Sequence, residues 1–215
     1  MASINPIQYD GWWIELNTYF TTTDVRIYDP EQVQIDNMRN VLTYFRRKGW
    51  TKESICGMLG NMMVESTVNP WLFQNHTLDW TNPAAIIDDP DGMGLTQWTP
   101  CRKYYDWALY NNLDPESGYT MCDRIYYEYQ NNLQWSLDNI LQYTWEDFVT
   151  STQTPEILSR VFLWAYERPD SPDPDQRAAN ARWCFDNLYV TMNPALYTMW
   201  INNQRKAMKK RWIRV

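Results

Sequence analysis

Apolar residues recur at helical spacing along most of this chain. Met38, Val41, Leu42 and Phe45 mark one face of a first predicted helix. It opens at Asp29-Pro30, with Asp29 as N-cap and Pro30 in the first turn, and closes at Gly49. Thr51 caps a second helix, with Glu53 in its first turn and Ile55, Met58, Leu59, Met62 and Met63 as its inward stripe. Gly57 and Gly60 are poor helix formers, and their presence predicts that another backbone passes close by. Asn69-Pro70 ends this helix. Residues 71–99, mixed in proline, glycine, acids and amides, read as loop with a short hairpin.

Further helices are predicted from Thr99-Pro100 to about Asn111, and over roughly 115–140. Another opens at Thr154-Pro155, with Ile157, Leu158, Val161, Phe162 and Ala165 facing inward, and stops at Pro169. The prolines of RPDSPDPD (168–175) make a stiff connector, followed by helices near 175–189 and 194–212. Residues 1–29 show no sustained period. Trp12, Trp13, Tyr19 and Phe20 predict that this segment packs onto something. The fold expected is mainly α, with a small irregular or β insert at about 71–99. Its parts are an arm (1–30), a helical domain (31–190) and a basic helical tail (191–215). No repeat and no low-complexity segment is present.

Composition narrows the function. Thirteen Trp and 15 Tyr dominate an aromatic content of 16%, side chains with a flat apolar face and a polar edge. Such residues suit sugar clefts and protein interfaces alike. The net charge is −7, yet residues 205–215 hold six bases and no acid, leaving −13 for residues 1–204. So acidic a body argues against nucleic acid as the main partner. No apolar run is long enough to span a membrane, and the start of the chain lacks a secretory layout. Cys56, Cys101, Cys122 and Cys184 are far apart and read as buried free thiols. With His76 as the one histidine, in a polar stretch that reads as surface, a zinc site is not expected.

Two stretches carry candidate chemistry. Glu65 falls in the last turn of the second helix, at the border of its apolar stripe. Apolar neighbours and the negative end of the helix dipole both favour a protonated carboxyl there, able to act as a general acid. Periodicity taken alone favours a solvated glutamate at a helix end. Downstream, DGMGLTQWT (91–99) offers Gly92 and Gly94 for tight turning, Gln97 as donor and acceptor for an amide, and Trp98 as a stacking plate. It lacks the Lys-Ser/Thr of a phosphate loop; by itself it fits a surface hairpin.

Together the motifs become specific. NMMVESTVNP (61–70), GMGLTQWTP (92–100) and LWAYERP (163–169) resemble the lysozyme-like superfamily in order and spacing. With GWTKESICGMLGNMMVES (49–66) and YERP (166–169), the chain is similar to the phage tail lysozyme family over roughly residues 35–190. The resemblance implies a lysozyme-like helical domain acting on peptidoglycan glycan strands. It makes Glu65 the general acid at the bond between N-acetylmuramic acid and N-acetylglucosamine, with Ser66 orienting it or holding the cleft. Gly94, Leu95, Thr96 and Gln97 would form the floor under an N-acetylated sugar, and Tyr166 would stand near the carboxyl; Trp98 is a stacking candidate by residue type. For a second carboxylate, Asp91 is chosen over Asp88 and Asp89, while Glu167 reads as a salt-bridge partner of Arg168. No metal or organic cofactor is implied.

The same resemblance implies an enzyme made in the host cytoplasm, carried on the phage tail and active at genome entry. The arm and basic tail would dock other tail proteins. The long loop between Glu65 and Gly92 lengthens a cleft wall or covers the cleft, and no second, peptide-cutting module is expected. Hydrolysis and anhydro-forming lysis stay open. So do three rivals: an idle structural tail protein on the same scaffold, a free endolysin, and a glycan-binding module.

Overall fold

The computed structural model describes residues 7–14, 32–74, 91–137 and 142–189. They form a mainly helical body, as the apolar periodicity predicts. Strands β1 (Ile7–Tyr9) and β2 (Trp12–Ile14) precede helices α1 (Gln32–Arg47) and α2 (Lys52–Ser66). Then come α3 (Arg102–Tyr110), α4 (Gly118–Gln130), α5 (Trp145–Thr150) and α6 (Pro155–Phe162). A π-helical turn (Leu163–Glu167) leads on to α7 (Pro174–Asn187).

The centre of the body is α2. Thr51 caps it, accepting from Ser54 N–H at 3.2 Å. Ser54 through Met63 are all buried, so the predicted stripe is in fact the whole circumference. The reason is local: alanine-sized or apolar residues fill nearly every position, and α1, α5, α6 and α7 pack around it. Both glycines act as predicted. A Cβ on Gly57 would lie 2.8 Å from the carbonyl carbon of Leu158 in α6, and one on Gly60 would strike the carbonyl oxygen of Arg177 in α7. Two helix backbones therefore lie directly against α2.

Strand pairing is also found in the arm, where none was expected. Asp10 and Gly11 both take positive φ (48° and 81°), the requirement of a two-residue type I′ hairpin, and β1 pairs antiparallel with β2. Among the described residues of the 71–99 insert, single bridges link Phe73 to Met93 and Met93 to Trp98. The hairpin does pack: Trp12 is wholly buried, edge-on to Tyr119 at 5.4 Å, and Asn40 donates to the Gly11 carbonyl at 2.8 Å.

Other boundaries shift for identifiable reasons. The helix predicted over 115–140 stops at Gln130, where Asn132 takes a left-handed φ of 50°. Helix α5 was not expected; a reciprocal capping box between Thr144 and Asp147 sets its start. Ile157, predicted inward, is 39% exposed on α6. All four cysteines are buried and unbridged, and burial pushes the Cys56 thiol up to about 12. No helix among the described residues is long and apolar enough to cross a membrane. Asp29-Pro30, Tyr19, Phe20, His76, Asp88, Asp89, the middle of the insert and the 191–215 tail lie outside the described residues, as does the side chain of Trp13.

Candidate active site

At the C-terminal end of α2 the chain turns through Thr67 and Val68, both in left-handed conformation (φ 52° and 59°). Glu65 lies just before that turn with its side chain 17% exposed, neither sealed in nor free in solvent. One oxygen, Oε1, stands 2.7 Å from Nη2 of Arg177, whose side chain is 2% exposed. The rest of that guanidinium is fixed as well: Nε donates to the Pro172 carbonyl at 2.7 Å, and Nη1 to Asn61 Oδ1 at 3.2 Å. Asn61, one turn before Glu65 on α2, in turn donates to the carbonyls of Gly57 and Ser159. The missing Cβ of Gly60 lets α7 come near enough to deliver this cation. Sequence reading surrounded Glu65 with apolar groups and missed Arg177; Gly60 and Asn61 were the only local signs of it.

Glu167 ends the π-helical turn. Its Oε1 is buried without a hydrogen-bond partner among the described residues. Burial first, and the nearby Glu65 carboxylate second, hold this carboxyl well above the usual carboxylate range, with Arg177 pulling the other way. Glu128 adds to the rise and Arg168 opposes it. The expected salt bridge with Arg168 does not form. That guanidinium donates instead to the carbonyls of Gln134 and Ala165.

The Gly-Leu-x-Gln stretch leans against the end of α2. Ser66 Oγ donates to the Leu95 carbonyl at 3.0 Å, joining the two motifs directly. Gly94 takes φ 75°, and its N–H donates to the Leu72 carbonyl at 2.9 Å. Gln97 Nε2 donates to the carbonyls of Leu72 (3.0 Å) and Gly94 (2.9 Å), so the donor end expected to meet a sugar amide holds the loop together. Leu95 and Thr96 are buried, and any floor they provide is made of backbone. Asp91 stands half-buried at the head of the loop, its carbonyl accepting from Cys101 N–H at 3.0 Å.

Trp98 is not an open plate. It is 3% exposed, stacked on Tyr104 at 4.9 Å and 16°, and its indole N–H donates to Glu128 at 3.2 Å. Tyr166 is equally deep: 1% exposed, its hydroxyl donating to Glu128 Oε2 at 2.6 Å and lying 3.5 Å from Thr96 Oγ1. Burial, then Glu128, push that phenol well above its ordinary range. Glu128, which sequence reading missed, is thus the hub that ties α4 to both motifs; Arg124 Nε completes its shell at 2.8 Å. Hydroxyl and indole side chains close up this hub because each has a donor to spend and an apolar face to bury.

The arrangement provides two neighbouring carboxyls and one buried cation beside an edge open to water. Among the described residues no three His, Cys, Asp or Glu side chains gather as a metal site would require. A family model described as phage tail lysozyme matches residues 36–188. The chain is also similar to Morphogenesis protein 1 of Bacillus phage B103, at 41% identity over 152 residues. That match covers 71% of this chain and 39% of the relative, so the chain spans about two fifths of the relative's length.

Proposed function

The chain belongs to the phage tail lysozyme family, and on that premise we propose that it cleaves the bond between N-acetylmuramic acid and N-acetylglucosamine in peptidoglycan, with Glu65 as general acid. The observation that carries this reading is the placement of Glu65. The carboxyl is anchored at the end of the core helix, positioned by Arg177 at 2.7 Å, and still open on one side. Glu65 gives its proton to the glycosidic oxygen as the C1–O bond breaks and the bonding pair leaves with that oxygen. The positive charge developing at the ring is met by a water that Asp91 aims, or by a hydroxyl or N-acetyl group of the substrate itself. Ser66 holds the end of α2 to the loop, and the backbone of Gly94, Leu95, Thr96 and Gln97 lies under the sugar. Trp98 and Tyr166 support that backbone from beneath. The reaction calls for no metal or organic cofactor.

The protein works from the phage tail, opening the wall locally at genome entry after synthesis in the host cytoplasm. The arm and the basic tail dock other tail proteins. The name of the relative, Morphogenesis protein 1, favours a second reading: a structural tail component on a lysozyme scaffold. Zymography on purified wall separates the two. Clearing by wild type and loss of clearing by Glu65→Gln is the expected result. Equal clearing by both removes Glu65 as the acid, and no clearing by either favours the structural reading. Mass spectrometry of washed particles tells a virion protein from a free endolysin.

A further inference from the structure

An acid that sits against a guanidinium needs a source for its proton. Opposite charge at 2.7 Å stabilises the carboxylate form of any carboxyl. Arg177 cannot turn away, because Nε and Nη1 are held by the Pro172 carbonyl and by Asn61. One group beside this pair has the opposite character. Glu167 is half-buried, and its Oε1 is withdrawn from water and receives no hydrogen bond among the described residues, so negative charge on that oxygen meets no donor. A protonated carboxyl, by contrast, carries its own donor. The π-helical turn ends at Glu167, near enough to Glu65 and Arg177 for the charge of each to act on it.

We propose that Glu167 is the proton store of this site, a positioning residue that keeps one proton beside Glu65 and hands it over for delivery to the glycosidic oxygen. The inference rests on the reading of Glu65 as the acid. In the resting cluster Arg177 and Glu65 are held as the ion pair and Glu167 carries the proton. Transfer moves one proton from the Glu167 carboxyl to the Glu65 carboxylate, so the cluster keeps its charge and only the negative site changes place. Glu65 then protonates the leaving oxygen. The hydroxyl that attacks C1, from water or from the sugar's own C6, releases a proton that returns to the pair, and the cycle closes. The groups that face Glu167 are Glu65 from α2, Arg177 from α7 and Glu128 from α4, with Arg168 next to it in the chain. Arg177 favours the charged form of both glutamates, while each carboxylate disfavours the charge on the other; a single shared proton satisfies both.

Titration of the full chain labelled with 13C at the glutamate carboxyls tests the store without reference to activity. One carboxyl is expected to stay protonated at neutral pH, and its signal to be missing in Glu167→Gln. Finding every glutamate ionised at neutral pH overturns the proposal. If Glu167→Gln does not fold, Glu65→Gln supplies the same information, since removing the like charge and releasing Arg177 makes the Glu167 signal titrate at lower pH. In the pH profile of wall clearing, Glu167→Gln is expected to move the alkaline limb of kcat/KM down by about one unit or more. An unmoved limb with merely lower activity overturns the proposal in favour of a structural role. A wild-type chain that clears no wall yet keeps the protonated signal sinks the lytic reading, and the proton stays where it has been placed. The two failures are thereby told apart.

Discussion

Glu128 is buried and Glu167 has one oxygen withdrawn from water, and Tyr166 touches the first and adjoins the second in the chain, yet the protein treats them in opposite ways. Glu128 accepts from the Tyr166 hydroxyl, the Trp98 indole and the Arg124 guanidinium, so its charge is solvated by protein donors in place of water. Glu167 has a buried oxygen with no donor, and two carboxylates press on it. The first arrangement fixes three segments in one geometry. The second leaves a group whose protonation is decided by its neighbours, which is the property a reaction needs. A buried carboxylate is scaffold or chemistry according to whether its oxygens are satisfied.

The contrast can be broken at several points. Glu65→Gln has the largest expected effect, a loss of about 10²–10⁴-fold in wall clearing per folded molecule. Glu128→Ala acts on the other side: it strands Arg124 and two further donors, and denaturant unfolding should show about 3–5 kcal/mol of lost stability. If Glu128→Ala instead kept its stability and lost only clearing, the division between scaffold and chemistry would fail. Tyr166→Phe removes one donor to a charged acceptor, an expected cost of about 1.5–3 kcal/mol, with clearing per folded molecule retained.

Glu167→Gln sharpens the comparison through pH. A carboxyl held above its ordinary value near 4.5 binds more protons in the folded than in the unfolded chain. The stability it contributes is therefore whole below that value, and is lost as pH rises towards the folded one. Wild type should lose up to about 1.4 kcal/mol per pH unit across that window relative to Glu167→Gln, measured as parallel urea midpoints. The smallest effect belongs to an exposed pair. Arg182 holds Glu156 at 2.6 Å with both side chains more than a third exposed, and Arg182→Ala should cost under about 1 kcal/mol.

Much of the frame was legible because it is written locally. The Thr51 cap, the stop at Gly49 and the small residues that admit α6 and α7 can all be read from neighbours in the chain. The burial of α2 on every side was not, since a stripe of large apolar residues hides the fact that the remaining positions are small. The hairpin was missed although Asp10-Gly11 is a strong turn signal, because two three-residue strands give alternation no length to show itself. At the site, motif resemblance located Glu65. Its partners came from afar: 116 positions separate Arg177 from Asn61. Glu128 reads as one more charge on an amphipathic helix until Trp98 and Tyr166 close over it.

In the turn from Leu163 to Glu167 each backbone hydrogen bond spans one residue more than in an ordinary spiral. A single in-frame codon deletion there, for instance at the outward-facing Trp164, would let the segment rewind. Position 167 would then change its bearing around the axis. A lineage could thus disconnect this carboxyl by losing one residue, while Glu65 and Arg177, on other helices, keep their pairing.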